Sequence, residues 1–379
     1  MTRDEAAALA HGNPFSFLHV VRSDIDLPPN TDPHDAAVYA KARQNFDGLL
    51  RDAFVQDPEP SIYLYELTLE GRTQVGVVGC IHVDSYERNV IKKHETTRAD
   101  KEDDRTRHIL AVNAHAEPVL LAHEPSVFLT QLNHKVTSTT PLFDYTVDNV
   151  RHRGWRVTEP QHYVDAVRRL QAAYIADGHH RTAGAWRAAA ERKAANPNHT
   201  GNEEYNWFLA VLFPWNQLRI LPYHRVVKDL NGMTPEAFAT RLIRTGELQS
   251  TDQPVPIERG NYGVLLGEKW FRYCFPKESI PPGDLVTSHD SVLLQSRVLE
   301  PLLGIRDIRS DPRIAFVGGL DAIPRMERMV RSGEMAVGFA LRPTTIEEVV
   351  RVSDRGQIMP PKSTWFEPKL QSGLFVHTL

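Results

Sequence analysis

The stretch that most restricts the fold is YIADGHHRTAGAW, residues 174–186. A short apolar run ends at an Asp-Gly pair, and an alanine-rich run follows. Apolar runs bounded by turn residues are typical of buried strands, glycine permits a tight turn, and alanine favours a helix. The stretch therefore predicts a buried strand, a turn at Gly178 and a helix directly after it, with Asp177 placed to cap that helix.

Three side chains in the first turn of this predicted helix, His179, His180 and Arg181, can carry positive charge. A helix start presents unpaired N–H groups and favours an anion, whereas cations there are locally unfavourable. Arginine also matches phosphate through paired hydrogen bonds. The cluster therefore predicts an anion site, against two alternatives: histidines that only fill the core or cap the helix, and a zinc site. Zinc is disfavoured because adjacent helical side chains point about 100° apart and no H-E-x-x-H motif or cysteine pair is present.

Composition limits the classes of function. The chain has 379 residues, enough for two or three domains. Its 44 basic and 48 acidic residues give a net charge of −4, so no general basic field is available to hold nucleic acid. No apolar run reaches the roughly 18 residues of a membrane span, and the N-terminus lacks the apolar stretch of a secretory signal. With only two cysteines, a reducing, cytoplasmic location is expected.

The pattern of hydrophobic residues predicts strands and helices in mixed order, hence an α+β (mixed α/β) fold. Residues 61–84 read as an antiparallel hairpin that turns around Gly71 and Arg72, and residues 89–108 read as a charged loop. Helices are predicted over 33–55, 161–173 and 291–304, from Thr234 onward, and over 344–353 with a capping box of Thr344 and Glu347. We predict three domains: 1–150 with the charged loop, 151–250 with the DGHHR motif, and 251–379 with the PPKSTWF motif.

Several motifs together resemble a known family. YIADGHHR, IKKHETT and the C-terminal MPPKSTWFEPKLQSGL are similar to the bacterial and archaeal family called domain of unknown function 1015. The resemblance runs from NPFSFLHVV to the last residues. The DGHHR element also resembles that of ParB/sulfiredoxin-like proteins, a group that includes free-serine kinases. The resemblance implies a ParB/sulfiredoxin-like core with flanking α/β domains, and phosphorylation of free L-serine with a nucleotide or pyrophosphate as donor.

Three further motifs carry candidate site residues. Lys92, Lys93, His94 and Glu95 combine cations with a carboxylate, as phosphoryl transfer requires, although most charged runs are solvated loops. Residues 362–364, Lys362, Ser363 and Thr364, form either a phosphate cradle or a packed terminal turn. His224 and Arg225 form either a second rim of the pocket or a surface turn. Cys80 and Cys274 lie in apolar runs and are expected to be buried and inert.

Two functions follow from these motifs. The first is a small-molecule kinase that uses Mg²⁺ and takes ATP, ADP or pyrophosphate as donor, with free L-serine as acceptor. The second is a ParB-like nucleotide-binding switch without turnover, which acts on DNA or a protein partner. Composition favours the kinase, because a DNA-binding protein of this type carries a basic helix-turn-helix block. Phosphatase or phosphodiesterase chemistry at the same anion site stays open.

The kinase interpretation gives each candidate residue a role. We assign catalysis to Asp177, Glu95 and His179, with Asp177 or Glu95 orienting the hydroxyl or holding Mg²⁺. His224 and Arg225 are assigned to the substrate. The residues assigned to donor phosphates are His180, Arg181, Lys92, Lys93, His94, Lys362, Ser363 and Thr364.

Overall fold

The computed structural model of the chain describes residues 1–281 and 283–379. Helices and strands occur in mixed order, which confirms the α+β class. Among the described residues, no helix has both the length and the apolar character needed to cross a membrane.

The helices are α1 Arg3–Ala10, α2 Leu18–Val21, α3 Ala36–Asp52, α4 Asp84–Glu87, α5 Ala99–Val112, α6 Val127–Thr137, α7 Pro160–Arg168, α8 His179–Ala195, α9 Pro235–Ile243, α10 Asp290–Leu294, α11 Ala322–Arg331 and α12 Ile346–Asp354. The strands are β1 Tyr63–Leu69, β2 Arg72–His82, β3 Ile91–Lys92, β4 Ala114–His115, β5 Val119–His123, β6 Phe143–Val147, β7 Val150–Arg156, β8 Ala173–Asp177, β9 Trp207–Pro214, β10 Arg219–Leu221, β11 His224–Val227, β12 Glu247–Ser250, β13 Asn261–Leu266, β14 Lys269–Cys274, β15 Ile314–Val317, β16 Val337–Ala340, β17 Trp365–Glu367 and β18 His377–Thr378.

The chain forms two compact units. Unit 1 comprises residues 1–93, 97–217 and 368–379, and unit 2 comprises residues 94–96 and 218–367. This partition differs from the predicted boundaries at 150 and 250, because hydrogen-bonded strands lie on both sides of each boundary. In unit 1, β1 pairs with β7, and in unit 2, β12 pairs with β14.

Unit 1 is built on an eight-stranded mixed sheet with the strand order β3-β8-β5-β9-β2-β1-β7-β6. The predicted hairpin is confirmed, since β1 and β2 pair antiparallel up to Leu69 and Arg72. The turn lies one position earlier than predicted, at Glu70 and Gly71, because Arg72 already pairs with Leu69. Both turn residues have positive φ angles, as a two-residue hairpin turn of this kind requires. Strand β8 lies between β3 and β5, and its first four residues are buried, which fixes the place where Asp177 emerges.

Helix α8 packs closely against α5 within unit 1. Its buried face consists mostly of small residues, including Ala183, Gly184 and Ala185. A Cβ atom on Gly184 would lie 2.8 Å from the Cβ of Arg105 and 3.2 Å from the backbone nitrogen of Thr106. The alanine-rich run that follows the DGHHR motif is therefore needed for the close approach of α5.

Unit 2 contains a six-stranded antiparallel sheet with the order β12-β14-β13-β16-β11-β15 and the separate pair β10-β17. Its main core packs aromatic and aliphatic side chains from the sheet against α9 and α10, with Phe238, Tyr262 and Phe339 fully buried. After α10 the chain continues through a π-helical stretch, Gln295–Leu299, which interrupts the helix predicted over 291–304.

Two local predictions are wrong. The charged loop predicted over 89–108 contains most of α5, whose buried face carries Thr106, Ile109 and Val112 while its acidic residues stay at the surface. Charge density concealed this amphipathic pattern. The capping box of α12 lies one residue later than predicted: Thr345 is the N-cap and Glu348 completes the box.

The prediction that both cysteines are buried is also wrong. Cys80 is exposed and Cys274 is partly exposed, although both thiols are unpaired. Cys80 lies near the end of β2, where the pattern of burial changes from mostly buried to mostly accessible residues. An apolar run alone did not reveal which side chains near the strand end face solvent.

Two glycines of β2 provide a test of packing in unit 1. A Cβ atom on Gly76 would lie 2.5 Å from Val211 Cγ1 and 2.8 Å from the ring of Phe213, whereas on Gly79 its closest neighbour would be Ile62 Cγ1 at 4.0 Å. We expect Gly76→Ala to lower the free energy of unfolding by about 1–3 kcal/mol through overpacking. Gly79→Ala, the matched control, should change it little; equal urea midpoints for the two variants would contradict this packing.

Candidate functional site

The DGHHR motif lies at the junction between β8 and α8. Asp177 is the last residue of β8, Gly178 has φ 102° and ψ 29°, and α8 begins at His179. The Thr182 amide donates to the Gly178 carbonyl at 2.9 Å. The predicted strand, turn and helix are therefore confirmed at these residues.

The predicted cap by Asp177 is wrong, because Gly178 is the N-cap residue and provides no side-chain hydrogen bond. The carboxylate of Asp177 instead lies between two cations. Arg181 donates from Nη2 to its Oδ2, and Lys369 Nζ lies 2.7 Å from its Oδ1. Two opposite charges hold it more strongly than one amide donor.

These contacts fix the ionisation state of Asp177. Burial raises the pKa of its carboxyl, but the charges of Arg181 and Lys369 and the hydrogen bond from Lys369 outweigh burial and lower the pKa to about 2. The side chain is one-third exposed, so an ionised oxygen stays within reach of solvent. The result is a permanently negative group beside the start of a helix.

The other members of the motif are less cationic than the sequence suggested. Burial lowers the pKa of His180, and its Nε2 accepts a hydrogen bond from the Arg98 amide at 3.1 Å, so this ring is neutral at pH 7. His179 is buried. Arg181 also donates from Nη1 to the Pro118 carbonyl. Through these contacts Arg181 connects α8 to the backbone at Pro118 and stabilises the negative charge of Asp177.

The two lysines of the KKHE segment lie next to β8. Lys92, in the edge strand β3, pairs in register with Tyr174, and its Nζ lies 5.8 Å from the centre of the Tyr174 ring. Lys93 is exposed, with its Nζ 5.1 Å from the centre of the Tyr86 ring. Both belong to unit 1.

The remaining half of this segment belongs to unit 2. His94 is buried, its Nε2 lies 3.2 Å from Thr364 Oγ1, and its carbonyl accepts from the Met359 amide at 2.7 Å. Glu95 is partly exposed. From the sequence we also expect residues 92–95 and 177–181 to face one cleft, and this stays a prediction.

The PPKST turn is held by contacts inside unit 2. Lys362 has a positive φ of 58°, and its Nζ lies 5.2 Å from the centre of the Tyr223 ring. Ser363 donates from its hydroxyl to the Pro360 carbonyl at 2.7 Å, and its own carbonyl accepts from Thr344 at 2.7 Å. Internal contacts therefore engage the Ser363 hydroxyl and the Thr364 hydroxyl, and the role of these groups toward phosphate stays a prediction.

His224 and Arg225 begin β11 and are both buried, so the surface-turn alternative is wrong. His224 Nδ1 accepts from the Leu341 amide at 3.2 Å, and burial lowers its pKa to about 4. The Arg225 guanidinium donates to the Tyr223 and Lys362 carbonyls, and burial lowers its pKa to about 10. These contacts anchor the PPKST turn to β11.

Sequence reasoning gave no role to Lys369, which supplies the second cation of the site. It lies in the C-terminal stretch PKLQSGL, within a motif that carried the family resemblance, and this was the available signal. Its distance of 192 positions from Asp177 concealed the pairing.

The DGHHR motif offers one carboxylate, that of Asp177, to a magnesium ion. The described part of the chain has no group of three or more His, Cys, Asp or Glu side chains able to hold a metal. Mg²⁺ is often bound through one or two carboxylates together with substrate phosphates and water. Ionised Asp177 would supply one such carboxylate, in place of its contact with Arg181 or Lys369.

The comparisons with known proteins agree with the motifs. Residues 1–299 match the family described as "Protein of unknown function (DUF1015)". The match covers well over half of the chain, which therefore belongs to this family. None of the curated proteins matches the sequence.

Some solved structures are similar at low identity. A mutant of a free serine kinase in complex with AMP is 17% identical, with 83% of this chain and 90% of that chain covered and a TM-score of 0.39. A conserved hypothetical protein from Pyrococcus furiosus is 18% identical, with 78% and 93% covered and a TM-score of 0.36. SbnI with a C-terminal truncation, from Staphylococcus aureus, is 11% identical, with 76% and 82% covered and a TM-score of 0.40.

The low pKa of Asp177 has a measurable effect on stability. Its folded-state pKa of about 2 lies below the ordinary value of 3.8, so its contribution to stability is complete above about pH 4 and is lost as pH falls towards 2. We expect Asp177→Asn to make the acid-side fall in stability shallower in this window, as measured by urea unfolding at successive pH values. Asp252→Asn, at an exposed position, is the matched control and should keep the wild-type steepness.

Proposed function

We propose that the protein is a small-molecule kinase that transfers a phosphoryl group to the hydroxyl of a free amino acid, with L-serine as the acceptor. The observation that carries the proposal is the permanently ionised Asp177 at the start of α8, a helix whose N-terminus no side chain caps. The family of this chain is described as being of unknown function, and it is the resemblance of the DGHHR motif to that of free-serine kinases that supports the same reaction.

The start of α8 suits the donor. Backbone N–H groups in the first turn of a 17-residue helix point along its axis and favour phosphate oxygens. Three lysines of unit 1 add positive charge: the partly exposed Lys92 and the exposed Lys93 and Lys369. We assign the terminal phosphates of ATP, ADP or pyrophosphate to this region, together with the predicted ligands His180 and Arg181. His179 keeps its predicted catalytic role as part of the proposal.

In the reaction, the acceptor's hydroxyl oxygen forms a bond to the terminal phosphorus, and the bond from that phosphorus to the donor's bridging oxygen breaks. The donor leaves with that oxygen, and the hydroxyl proton passes to solvent water. A carboxylate with a pKa of about 2 is a weak base. The transition state of phosphoryl transfer is loose, so little proton transfer is needed early. Asp177 would therefore act chiefly by orienting the hydroxyl, and Mg²⁺ bound beside it would neutralise charge on the donor.

The candidates in unit 2 belong to the proposal as predicted roles. Glu95 is the second candidate carboxylate, with His94 and the PPKST turn assigned to phosphate and His224 and Arg225 to the substrate. The buried contacts of His224 and Arg225 favour an indirect role, in which they position the PPKST turn.

Two broader expectations, one on the fold of the site region and one on the cellular location, complete the proposal. We propose that the region around β8 and α8 is a ParB/sulfiredoxin-like core, and that the protein works in the cytoplasm. The alternative of a DNA-binding switch has little support, because 48 acidic residues exceed 44 basic ones.

The reaction can be tested with purified protein, Mg²⁺, a panel of free amino acids, and ATP, ADP or pyrophosphate. We expect O-phosphoserine to accumulate with at least one donor, as measured by mass spectrometry. Consumption of donor without a phosphorylated amino acid would instead indicate hydrolysis. Nucleotide binding without either product would favour the regulatory switch.

The role of Asp177 is tested by Asp177→Asn, which keeps the shape and removes the charge. Turnover of L-serine should fall by about a hundred-fold, because a reacting group that is no longer held in position commonly costs that much. Asp252→Asn is the control for a lost exposed carboxylate, and thermal melts check the fold. If folded Asp177→Asn keeps near wild-type turnover, Asp177 is a structural anchor and Glu95 becomes the candidate carboxylate.

A further inference from the structure

Unit 1 contains a small cavity beside Arg181. The other polar groups in its wall are Arg105 and His108 from α5, His115 from β4, and Glu117 between β4 and β5, and apolar side chains form the rest of the lining. The space that a water-sized group can occupy is about 20 Å³. A cavity of this size accommodates roughly one water molecule or one polar group of similar size.

The side chain of His115 is the first indication that this cavity binds a ligand. It is 6% exposed, and its Nε2 has no hydrogen-bond partner within the described part of the chain. Burial, with a smaller effect from the neighbouring His377, lowers its pKa to about 3, so the ring is neutral. A buried polar atom without a partner costs free energy, which an occupant with a hydrogen-bond donor would recover.

Glu117 places a negatively charged group in the wall of the cavity. Its Oε1 accepts from the Ser372 hydroxyl at 2.8 Å, while its Oε2 is only loosely paired, 3.5 Å from Arg105 Nη1. Burial raises the pKa of Glu117, but the charges of Arg181 and Arg105 outweigh burial and lower it, so the group is ionised.

The two arginines on the wall do not make the cavity an anion site. Arg105 Nη2 lies 3.2 Å from Asp104, and Arg181 is paired with Asp177. Each guanidinium therefore already has another carboxylate partner, whereas the ion pair between Arg105 and Oε2 of Glu117 is long, at 3.5 Å. A phosphate or carboxylate would also be too large for the space and would be repelled by Glu117.

We propose that this cavity is the subsite for the α-ammonium group of the amino-acid acceptor, with Glu117 as its charge partner and His115 Nε2 as a hydrogen-bond acceptor. An ammonium group has the size of a water molecule and three donors, which match a carboxylate and a neutral imidazole. Arg181 links this cavity to Asp177, because the same guanidinium lines the cavity and donates to Asp177. The inference rests on the proposed kinase function and names how its acceptor is recognised.

The test compares L-serine with L-glycerate, which keeps the reacting hydroxyl, the carboxylate and the configuration at C2 but has a hydroxyl in place of the ammonium group. We expect wild-type protein to prefer L-serine, and Glu117→Gln to raise the KM for L-serine by about 10- to 100-fold, the value of a charged hydrogen bond. The activity with L-glycerate should change little. Glu124→Gln, at an exposed glutamate outside the cavity, is the matched control.

His115→Asn is the second variant, since it removes the Nε2 acceptor while leaving Glu117 in place. It should also raise the KM for L-serine and leave the activity with L-glycerate unchanged, with thermal melts as the check on folding. If both folded variants keep the wild-type preference for L-serine, the cavity holds a resident water only and the proposal is overturned.

Calorimetric titration with L-serine, without any donor, separates this inference from the proposed function. Binding to wild-type protein that is lost in Glu117→Gln supports the subsite even if no phosphoserine forms in the kinase assay. Binding of L-serine that is equal in wild type and Glu117→Gln overturns the subsite even if the kinase is active. Absence of L-serine binding to the wild type overturns it as well.

Discussion

The carboxylate of Asp177, held between Arg181 and Lys369, connects three parts of unit 1. Arg181 lies one turn into α8, Lys369 lies in the C-terminal segment, and Asp177 ends a buried strand. Because two cations stabilise one anion, the pKa of Asp177 stays low despite burial, and the negative charge persists at any physiological pH. The chemistry proposed for the site depends on this charge, and so does the orientation of the first turn of α8.

The C-terminal segment is a structural part of the site. After residues 218–367, which form most of unit 2, the chain returns to unit 1 and is fixed there at several points. Ser372 donates to Glu117, β18 pairs with β4, and the Leu379 carbonyl accepts from Asn113 at 2.7 Å. These contacts hold the segment that carries Lys369. They also hold Ser372 in position to donate to Oε1 of Glu117, and Glu117 lies in the wall of the cavity.

Sequence reasoning succeeded where the signal was local. The apolar run, the glycine and the alanine-rich run at residues 174–186 specify strand, turn and helix through backbone preferences of neighbouring residues. It failed where burial decided the outcome. The high charge of residues 89–108 concealed the amphipathic helix α5, and an apolar run did not reveal that Cys80 faces solvent. The histidines of the motif were expected to supply positive charge, whereas burial lowers the pKa of His180.

The sequence by itself therefore determined the mixed class of fold, the junction at Gly178 and the carboxylate beside it, because these follow from interactions between residues a few positions apart. Only the tertiary structure decided which groups surround that carboxylate. Lys369 meets Asp177 across 192 positions, and Arg105 reaches Glu117 because Gly184 lets α5 approach α8. Such pairings depend on how strands and helices pack, and a pattern of neighbouring residues contains no information on distances of that kind.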